Sequence, residues 1–142
     1  MKCEFIVDQK NNFYFLEVNT RLQVEHPITE LRTGLDLVRE QFKIASGEKL
    51  TMSQEDVKLM GHTIECRICA EDSEANFMPS TGKITYIKNV LSIGMREDTG
   101  IEQGNEISIY YDPMISKLIS HGETREVAID KMKRSLRDYK LV

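Results

Sequence analysis

Apolar and polar residues alternate over the first part of the chain. Residues 2–8 alternate weakly, residues 9–12 form a polar cluster, and residues 13–16 are an apolar run. Two such segments joined by a short polar turn predict a β-hairpin. If the second strand continues past Leu16, every second residue shares one side, which would carry Glu17, Asn19, Arg21, Gln23 and Glu25. Burying such a polar row is costly, so the pattern predicts a functional site, with a solvated edge strand as the alternative.

The pattern changes to a helical one after this row. Pro27 opens a short helical segment that runs to Thr33, where Thr33-Gly34 interrupts it. A second amphipathic helix follows, with apolar residues at intervals of three and four and with Gly47 at its end: Leu35, Val38, Phe42 and Ala45. Residues 48–58 are charged and contain one helical turn beginning at Ser53. We therefore place a domain boundary near this segment.

The second half of the chain alternates as short strands. Strands are predicted at residues 61–70, 83–89, 93–96, 106–111 and 114–120, with loops at residues 71–79 and 98–105. Thr124 then caps a helix whose predicted inner face comprises Ala128, Met132, Ser135, Leu136 and Tyr139. These elements predict an α+β module in which a helix covers a small antiparallel sheet.

Composition excludes several classes of protein. The 142 residues carry a formal net charge of −4 and no basic cluster, so nothing favours nucleic-acid binding. No apolar run has the length of a signal peptide or a membrane span, so we expect a soluble intracellular protein. Three cysteines without an export signal are expected to be reduced. Cys66 and Cys69 form a C-x-x-C, but on a strand they point to opposite faces, so two separate thiols are favoured over a zinc or redox site.

The predicted hairpin brings two carboxylates together. It sets Glu4 on the first strand near Glu17 on the second, where their charges repel unless a cation lies between them. Magnesium prefers carboxylate oxygens and substrate phosphates, and Asn19 offers a third oxygen on the same face. The hairpin therefore predicts a magnesium site. Arg67, inside an otherwise apolar strand, is by itself equally compatible with a surface position and with a functional one.

Two segments of the chain resemble the signatures of a known family. Residues 17–27, EVNTRLQVEHP, and residues 65–72, ECRICAED, resemble those of biotin carboxylase, the ATP-grasp component of biotin-dependent carboxylases. The segments PSTGKI at residues 79–84 and YYDPMI at residues 110–115 continue the match in the same order. The resemblance covers all 142 residues but only about the last third of the family's catalytic unit.

The resemblance implies a fold and a division of the chain. Residues 1–51 would be the C-terminal part of the ATP-grasp domain, a hairpin plus helices. Residues 52–142 would be the biotin carboxylase C-terminal domain, a small antiparallel sheet with a covering helix. Both ends of the chain are therefore expected to be cut from a longer unit.

The resemblance also implies the roles of individual residues. Glu4 and Glu17 would bind the nucleotide through Mg²⁺ (or Mn²⁺) on the ATP phosphates, with Asn19 as a further metal ligand. The bicarbonate-binding group would be Arg21, Gln23 and the backbone of Val24. Glu25 would be the general base that deprotonates bicarbonate, with its pKa lowered by Arg21. Arg67 would bind biotin and stabilise its enolate, so the catalytic residues would be Glu25, Arg21 and Arg67.

The cofactors and partners follow from the same resemblance. They are ATP, Mg²⁺ (or Mn²⁺) and biotin carried on a partner carrier domain, with a carboxyltransferase component as a second partner. A homodimer with its interface near residues 93–96 is expected, without nucleic acid or membrane. The residues around His26-Pro27 and Tyr110-Tyr111 favour an acetyl-CoA or propionyl-CoA carboxylase over pyruvate carboxylase. The expected location is the cytoplasm, or the mitochondrial matrix if the source is a eukaryote.

Two alternatives remain beside the enzyme. The 142 residues contain no G-x-G-x-x-G or G-x-x-x-x-G-K motif, so the isolated chain is expected to have negligible ATP-dependent activity. A non-catalytic module that binds another carboxylase component is one alternative, supported by the self-contained sheet and helix predicted from about Gly61 onward. A carboxylate–amine ligase is the other, because Glu4, Glu17 and Asn19 would serve any ATP-grasp enzyme. The segment from Arg21 to His26, together with Arg67, argues against that ligase.

Overall fold

The computed structural model describes residues 2–90 and 92–142, which form three α-helices and eleven strands. The strands are β1 Lys2–Val7, β2 Phe13–Asn19, β3 His62–Cys69, β4 Glu71–Asp72, β5 Met78–Pro79, β6 Gly82–Lys83, β7 Ile87–Lys88, β8 Met95–Thr99, β9 Glu106–Ile107, β10 Met114–Gly122 and β11 Lys140–Leu141. The helices are α1 His26–Thr33, α2 Leu37–Ala45 and α3 Arg125–Asp138, and a single 3₁₀ turn covers Gln54–Asp56. Every strand pairing is antiparallel, which confirms the α+β prediction.

The first two strands form the predicted hairpin. Glu4 lies directly opposite Glu17, as expected. Asp8 organises the turn, because its Oδ1 accepts hydrogen bonds from the backbone N–H groups of Lys10 (2.8 Å) and Asn12 (2.9 Å). The turn therefore fixes the register that brings the two carboxylates face to face.

Helices α1 and α2 follow the hairpin and end where the sequence indicates. Gly34 ends α1 with φ 73°, a left-handed conformation that favours glycine, and its N–H donates to the carbonyl of Glu30. Asp36 begins α2, because its side chain accepts from the backbone N–H of Arg39 at 2.8 Å. No described helix is long and apolar enough to cross a membrane.

The central sheet has the strand order β3-β10-β8, and its two faces have different compositions. Lys117 of β10 lies opposite Arg67 on one side and Asp98 on the other, so all three share a face. This face, hereafter the charged face, contacts α1, which carries the buried Pro27. The sheet therefore presents a row of ionised side chains to the first half of the chain.

The opposite face of the sheet packs against α3. Leu118, Ser120 and Ala128 are fully buried, and Ser120 Oγ donates to the carbonyl of Ala128 at 2.9 Å. Thr124 caps α3 by accepting from the backbone N–H of Val127. Burying apolar side chains on this face supplies the main driving force for folding the second half.

Several predicted elements differ from the structure. The predicted strand at residues 83–89 contains only the end of β6 and the separate strand β7. Strand β8 begins two residues later than predicted. Strand β9 covers only two residues of the predicted strand 106–111. Residues 71–79 contain the small β4-β5 pair in place of the predicted loop, and β11, which was not predicted, pairs with β7. The sequence pattern predicts Leu136 on the inner face of α3, but this residue is 42% exposed.

Candidate functional site

Glu4, Glu17 and Asn19 form a compact cluster on one face of the hairpin. The Asn19 amide nitrogen donates to Oε1 of Glu4 and to Oε1 of Glu17, at 3.0 Å in each case. Both carboxylates therefore converge on the Asn19 amide, which presents its NH2 group to them, and a half-turn of this amide would present its oxygen instead. Carboxylate and amide oxygens are the ligands that Mg²⁺ prefers, so this set of donors fits magnesium. Among the described residues, no group of three His, Cys, Asp or Glu side chains could hold a metal.

The row of polar residues does not continue as a strand. Strand β2 ends at Asn19, and residues 20–25 form bends and turns. Gln23 nevertheless returns to the hairpin, because its Nε2 donates to Glu4 Oε1 at 3.2 Å. The turn therefore brings the Gln23 side chain beside the carboxylate pair, although the predicted extended strand is absent.

Glu25 lies between two cations. Its Oε1 accepts from Lys2 Nζ at 3.1 Å, and its Oε2 accepts from Arg67 Nη2 at 3.2 Å. The backbone N–H of Glu25 itself, then the hydrogen bond from Lys2 and the charges of Lys2 and Arg67, lower the pKa of the Glu25 carboxyl. The expected direction of the shift is correct but the expected cause is wrong, because the guanidinium of Arg21 instead donates to the carbonyl of Leu22. Glu25 is therefore ionised at neutral pH and able to accept a proton.

Arg21, Gln23 and Glu25 line one cavity of ≈ 560 Å³ together with Lys2. Its wall also includes apolar side chains from α1 and α2, among them Ile28, Leu37 and Ile44. A largely apolar cleft with a few convergent polar groups is a typical small-molecule site. The structure thus brings together the three polar side chains that the sequence placed in one row.

A chain of ion pairs connects the charged face to α1. Arg96 contacts Glu30 Oε2 and Asp98 Oδ1 at 2.6 Å each, and Lys117 contacts Asp98 Oδ2 at 3.3 Å. Lys117 Nζ also donates to the carbonyl of Val24 at 2.9 Å. Burial alone would raise the pKa of Asp98, but hydrogen bonds and charge from Arg96 and Lys117 lower it overall.

Glu65 is a third carboxyl group near the site. It lies two residues before Arg67 on β3, and its buried Oε2 has no hydrogen-bond partner among the described residues. Burial raises the pKa of the Glu65 carboxyl, against the opposing charges of Lys117 and Arg67. Glu65 therefore favours its proton more than Glu25 does, although both lie near Arg67.

Sequence reasoning missed Lys2, Lys117 and Glu65. The signal that singled out Arg67 was a charged residue in the middle of an apolar strand, and Lys117 in β10 gives the same signal. Glu65 follows from the two-residue period of β3, which puts it on the face of Arg67. Lys2 gives no such signal, because a lysine near the start of a hairpin strand is ordinary.

Two sequence profiles match this chain. Residues 65–142 match the biotin carboxylase C-terminal domain, and residues 1–53 match the carbamoyl-phosphate synthase L chain ATP-binding domain.

Relatives and solved structures agree with these matches. The alpha subunit of rat mitochondrial methylcrotonoyl-CoA carboxylase is 50% identical over 140 residues, which is 98% of this chain and 20% of that protein. A pyruvate carboxylase subunit from Methanothermobacter thermautotrophicus is 55% identical over 128 residues, 90% of this chain and 26% of that protein. A similar solved structure is the biotin carboxylase domain dimer of Hydrogenobacter thermophilus 2-oxoglutarate carboxylase, which was crystallised with MgADP, ADP and bicarbonate. It superposes with a TM-score of 0.95 at 47% identity, and the match covers 99% of this chain and 31% of that one.

The fold and the matches define the class as an ATP-grasp type of biotin-dependent ligase. The chain belongs to the biotin carboxylase family. It spans between a fifth and a third of the length of the relatives described above.

Proposed function

We propose that this chain forms one wall of a biotin carboxylase active site, which uses ATP and bicarbonate to carboxylate biotin through carboxyphosphate. One observation carries the proposal. Glu25, from the segment that matches the ATP-binding domain, contacts Arg67, from the segment that matches the C-terminal domain, at 3.2 Å. The expected base and the expected biotin-binding arginine thus meet across a boundary that we place between residues 51 and 52.

Each side chain has a chemical role in this proposal. Glu4 and Glu17, with Asn19, hold Mg²⁺, which when bound neutralises charge on the ATP phosphates; Mn²⁺ has the same ligand preference. Arg21 offers two parallel N–H groups to a planar anion, and Gln23 and the Val24 N–H add neutral donors.

The proton transfer and the carboxyl transfer use two further residues. Glu25 takes the proton of bicarbonate, and the resulting dianion attacks the γ-phosphate, releasing ADP and giving carboxyphosphate. Carboxyphosphate then gives up its carboxyl group to the ureido nitrogen of biotin, the released phosphate takes the proton of that nitrogen, and Arg67 stabilises the biotin enolate that forms between the two events. Until substrate arrives, the contact with Arg67 holds the carboxylate of Glu25 in place.

The biological setting is also a proposal. Relatives named for methylcrotonoyl-CoA and for pyruvate are 50% and 55% identical, so similarity does not separate the acceptors. We keep an acetyl-CoA or propionyl-CoA type of carboxylase, with a role in fatty acid metabolism. A biotin carboxyl carrier domain and a carboxyltransferase component are the partners, and the cytoplasm or mitochondrial matrix is the location. A homodimer with its interface near residues 93–96 remains part of the proposal, and the similar domain of 2-oxoglutarate carboxylase is described as a dimer.

The proposal is tested by ATP hydrolysis that depends on bicarbonate, with free biotin as acceptor. The 142-residue chain alone should show negligible turnover, because no glycine-rich phosphate loop lies within it. Clear turnover by the purified chain would contradict that part. Residues 2–142 grafted in place of the matching segment of the 2-oxoglutarate carboxylase domain should support turnover.

Variants of the graft test the assigned roles. Glu25→Gln should lower kcat by at least about 100-fold, because it removes a general base. Glu48→Gln, exposed and outside the site, is the matched control and should leave kcat unchanged. Full activity in the Glu25→Gln graft would refute the assignment. A well-folded graft without turnover would favour the non-catalytic module.

A further inference from the structure

Two consecutive backbone carbonyls in the bicarbonate-binding segment are held by side chains that have no role in the proposed reaction. The carbonyl of Gln23 contacts His26 Nδ1 at 2.7 Å, and it also accepts from the His26 backbone N–H at 3.2 Å. The next carbonyl, that of Val24, accepts from Lys117 Nζ at 2.9 Å. Both peptide groups that flank Val24 are therefore fixed at their oxygen ends.

Fixing a carbonyl also fixes the N–H group of the same peptide. A trans peptide is planar, and its C=O and N–H point in opposite directions. The carbonyl of Gln23 and the N–H of Val24 belong to one such unit, so His26 aims the Val24 N–H away from itself. Within residues 2–90 and 92–142, this N–H donates to no backbone carbonyl or side-chain acceptor. It is therefore free to bind an anion.

Lys117 is a firm anchor for the second peptide. The residue is only 8% exposed, and its ammonium group is shared between Asp98 and the carbonyl of Val24. A buried ammonium is costly unless charge and hydrogen bonds compensate it, so this lysine has little freedom to leave Val24. The contact joins β10 in the second half of the chain to the bicarbonate-binding segment in the first.

The contact between His26 and the first peptide also defines which ring nitrogen of His26 carries a proton. A carbonyl oxygen only accepts, so the 2.7 Å contact requires a proton on Nδ1. His26 is also the first residue of α1, directly before the buried Pro27, so its backbone has little freedom.

We propose that His26 and Lys117 are positioning residues that orient the two peptide groups flanking Val24, so that the Val24 N–H faces the bicarbonate. The inference rests on the proposed function for the identity of the anion. The geometry of the two contacts stands without it, so the two ideas can be tested separately.

The first experiment needs no ligand and uses the 142-residue chain labelled with ¹⁵N. Lys117→Met and His26→Leu should each shift the amide resonances of Val24 and Glu25 and speed their hydrogen exchange. Lys133→Met and His62→Leu, at exposed positions away from the segment, are the matched controls and should leave those resonances in place. A merely structural role would lower stability without a selective effect at Val24. Unchanged Val24 and Glu25 resonances in both test variants would overturn the proposal.

The second experiment adds bicarbonate to the same samples. The Val24 amide resonance of the wild-type chain should shift with increasing bicarbonate until it saturates. The dissociation constant for bicarbonate should be at least about tenfold higher in Lys117→Met and His26→Leu. His26→Asn keeps a nitrogen donor near the position of Nδ1. Its dissociation constant for bicarbonate should therefore stay within about threefold of the wild-type value.

The outcomes separate the two ideas. Equal bicarbonate affinity in the wild type and in both test variants would overturn the positioning roles. If the Val24 amide resonance of the wild-type chain does not shift when bicarbonate is added, the proposed function of the segment is overturned. The ligand-free shifts would still decide whether His26 and Lys117 position the two peptide groups. If Lys117→Met does not fold, the bicarbonate affinities of His26→Leu and His26→Asn are compared instead. Equal affinities of these two variants would overturn the positioning role of His26.

Discussion

Glu25 combines two requirements of a general base, because it is ionised and it is held in one place. Lys2 and Arg67 each occupy one of its oxygens. The lowered pKa that results weakens its affinity for a proton, but bicarbonate needs an acceptor that is already ionised. A bound anion that drew Arg67 away would restore part of that affinity at the moment of reaction.

Removing Lys2 should raise the pKa of the Glu25 carboxyl toward its ordinary value of 4.5. The physical reason is the loss of a charged hydrogen bond that favours the ionised form. The change is measured by ¹³C NMR titration of the Glu25 carboxyl in Lys2→Met. Lys10→Met, in the hairpin turn, is the control. The ion pair adds stability only above the unfolded pKa, and this stability is lost as the pH falls through the lowered folded pKa. An identical titration curve in Lys2→Met would show that Lys2 does not act on Glu25.

Arg96→Leu should destabilise the chain by about 2 kcal/mol, because it leaves the carboxylate of Glu30 buried without its cation. Glu30 is 8% exposed, and its Oε2 lies 2.6 Å from Arg96. The measurement is urea unfolding at neutral pH. Arg134→Leu on the exposed side of α3 is the control, and its effect should stay within about 0.5 kcal/mol. Equal effects of the two substitutions would mean that the Glu30–Arg96 pair contributes nothing specific.

Among the elements, those with a long and regular pattern could be predicted from the sequence. Strand β10 is a continuous nine-residue segment with Ile115, Leu118 and Ile119 at its centre, α1 has Pro27 in its first turn, and α3 is capped by Thr124. The two-residue strands could not be predicted. Their existence depends on partners distant in sequence, such as β7 with β11. Strand β8 begins late because Gly94, with φ 79°, turns the chain just before it.

The same limit applies to the candidate site. The carboxylate pair could be predicted because a hairpin with a short turn has few possible registers. The neighbours of Glu25 could not, because Lys2 and Arg67 reach it from 23 and 42 residues away. Local spacing contains no information about such contacts.

The N-cap of α3 offers a test at the level of one element. Thr124→Ala should cost about 1 kcal/mol, because it removes the acceptor for the backbone N–H of Val127. Thermal unfolding followed by circular dichroism gives the loss. Thr51→Ala, in an exposed segment without secondary structure, is the control. If both substitutions lower the melting temperature equally, the cap does not stabilise α3.

Across the whole molecule, apolar burial is uneven. The second half has a core at Leu118, Ile119 and Ala128, each 0% exposed. The hairpin has no such core, since Phe13 and Phe15 are 71% and 63% exposed and Tyr14, on the opposite face, is 57% exposed. The hairpin depends on its own backbone hydrogen bonds, on the edge-to-face contacts of Phe5 with Phe13 and Phe15, and on the contacts of Glu25 and Gln23.

Hydrogen exchange should therefore distinguish the two halves. Amide protons of residues 2–19 should exchange at least about 100-fold faster than those of β10, because a lone two-stranded sheet is marginally stable in water. Strand β10 in the same sample is the internal reference. Concentration-dependent light scattering would report self-association through the exposed aromatic residues of the hairpin. Uniform protection throughout residues 2–122 would contradict this expectation.

The two faces of β10 have a consequence for how this sequence can change in length. Lys117 serves the bicarbonate-binding segment, while its neighbour Leu118 fills the core beneath α3. Losing or gaining one residue inside Met114–Gly122 would exchange the two faces beyond that point, sending Leu118 to the charged face and the ammonium of Lys117 to the face beneath α3. We therefore expect one-residue insertions and deletions to be tolerated in connections such as residues 100–105 and not inside Met114–Gly122.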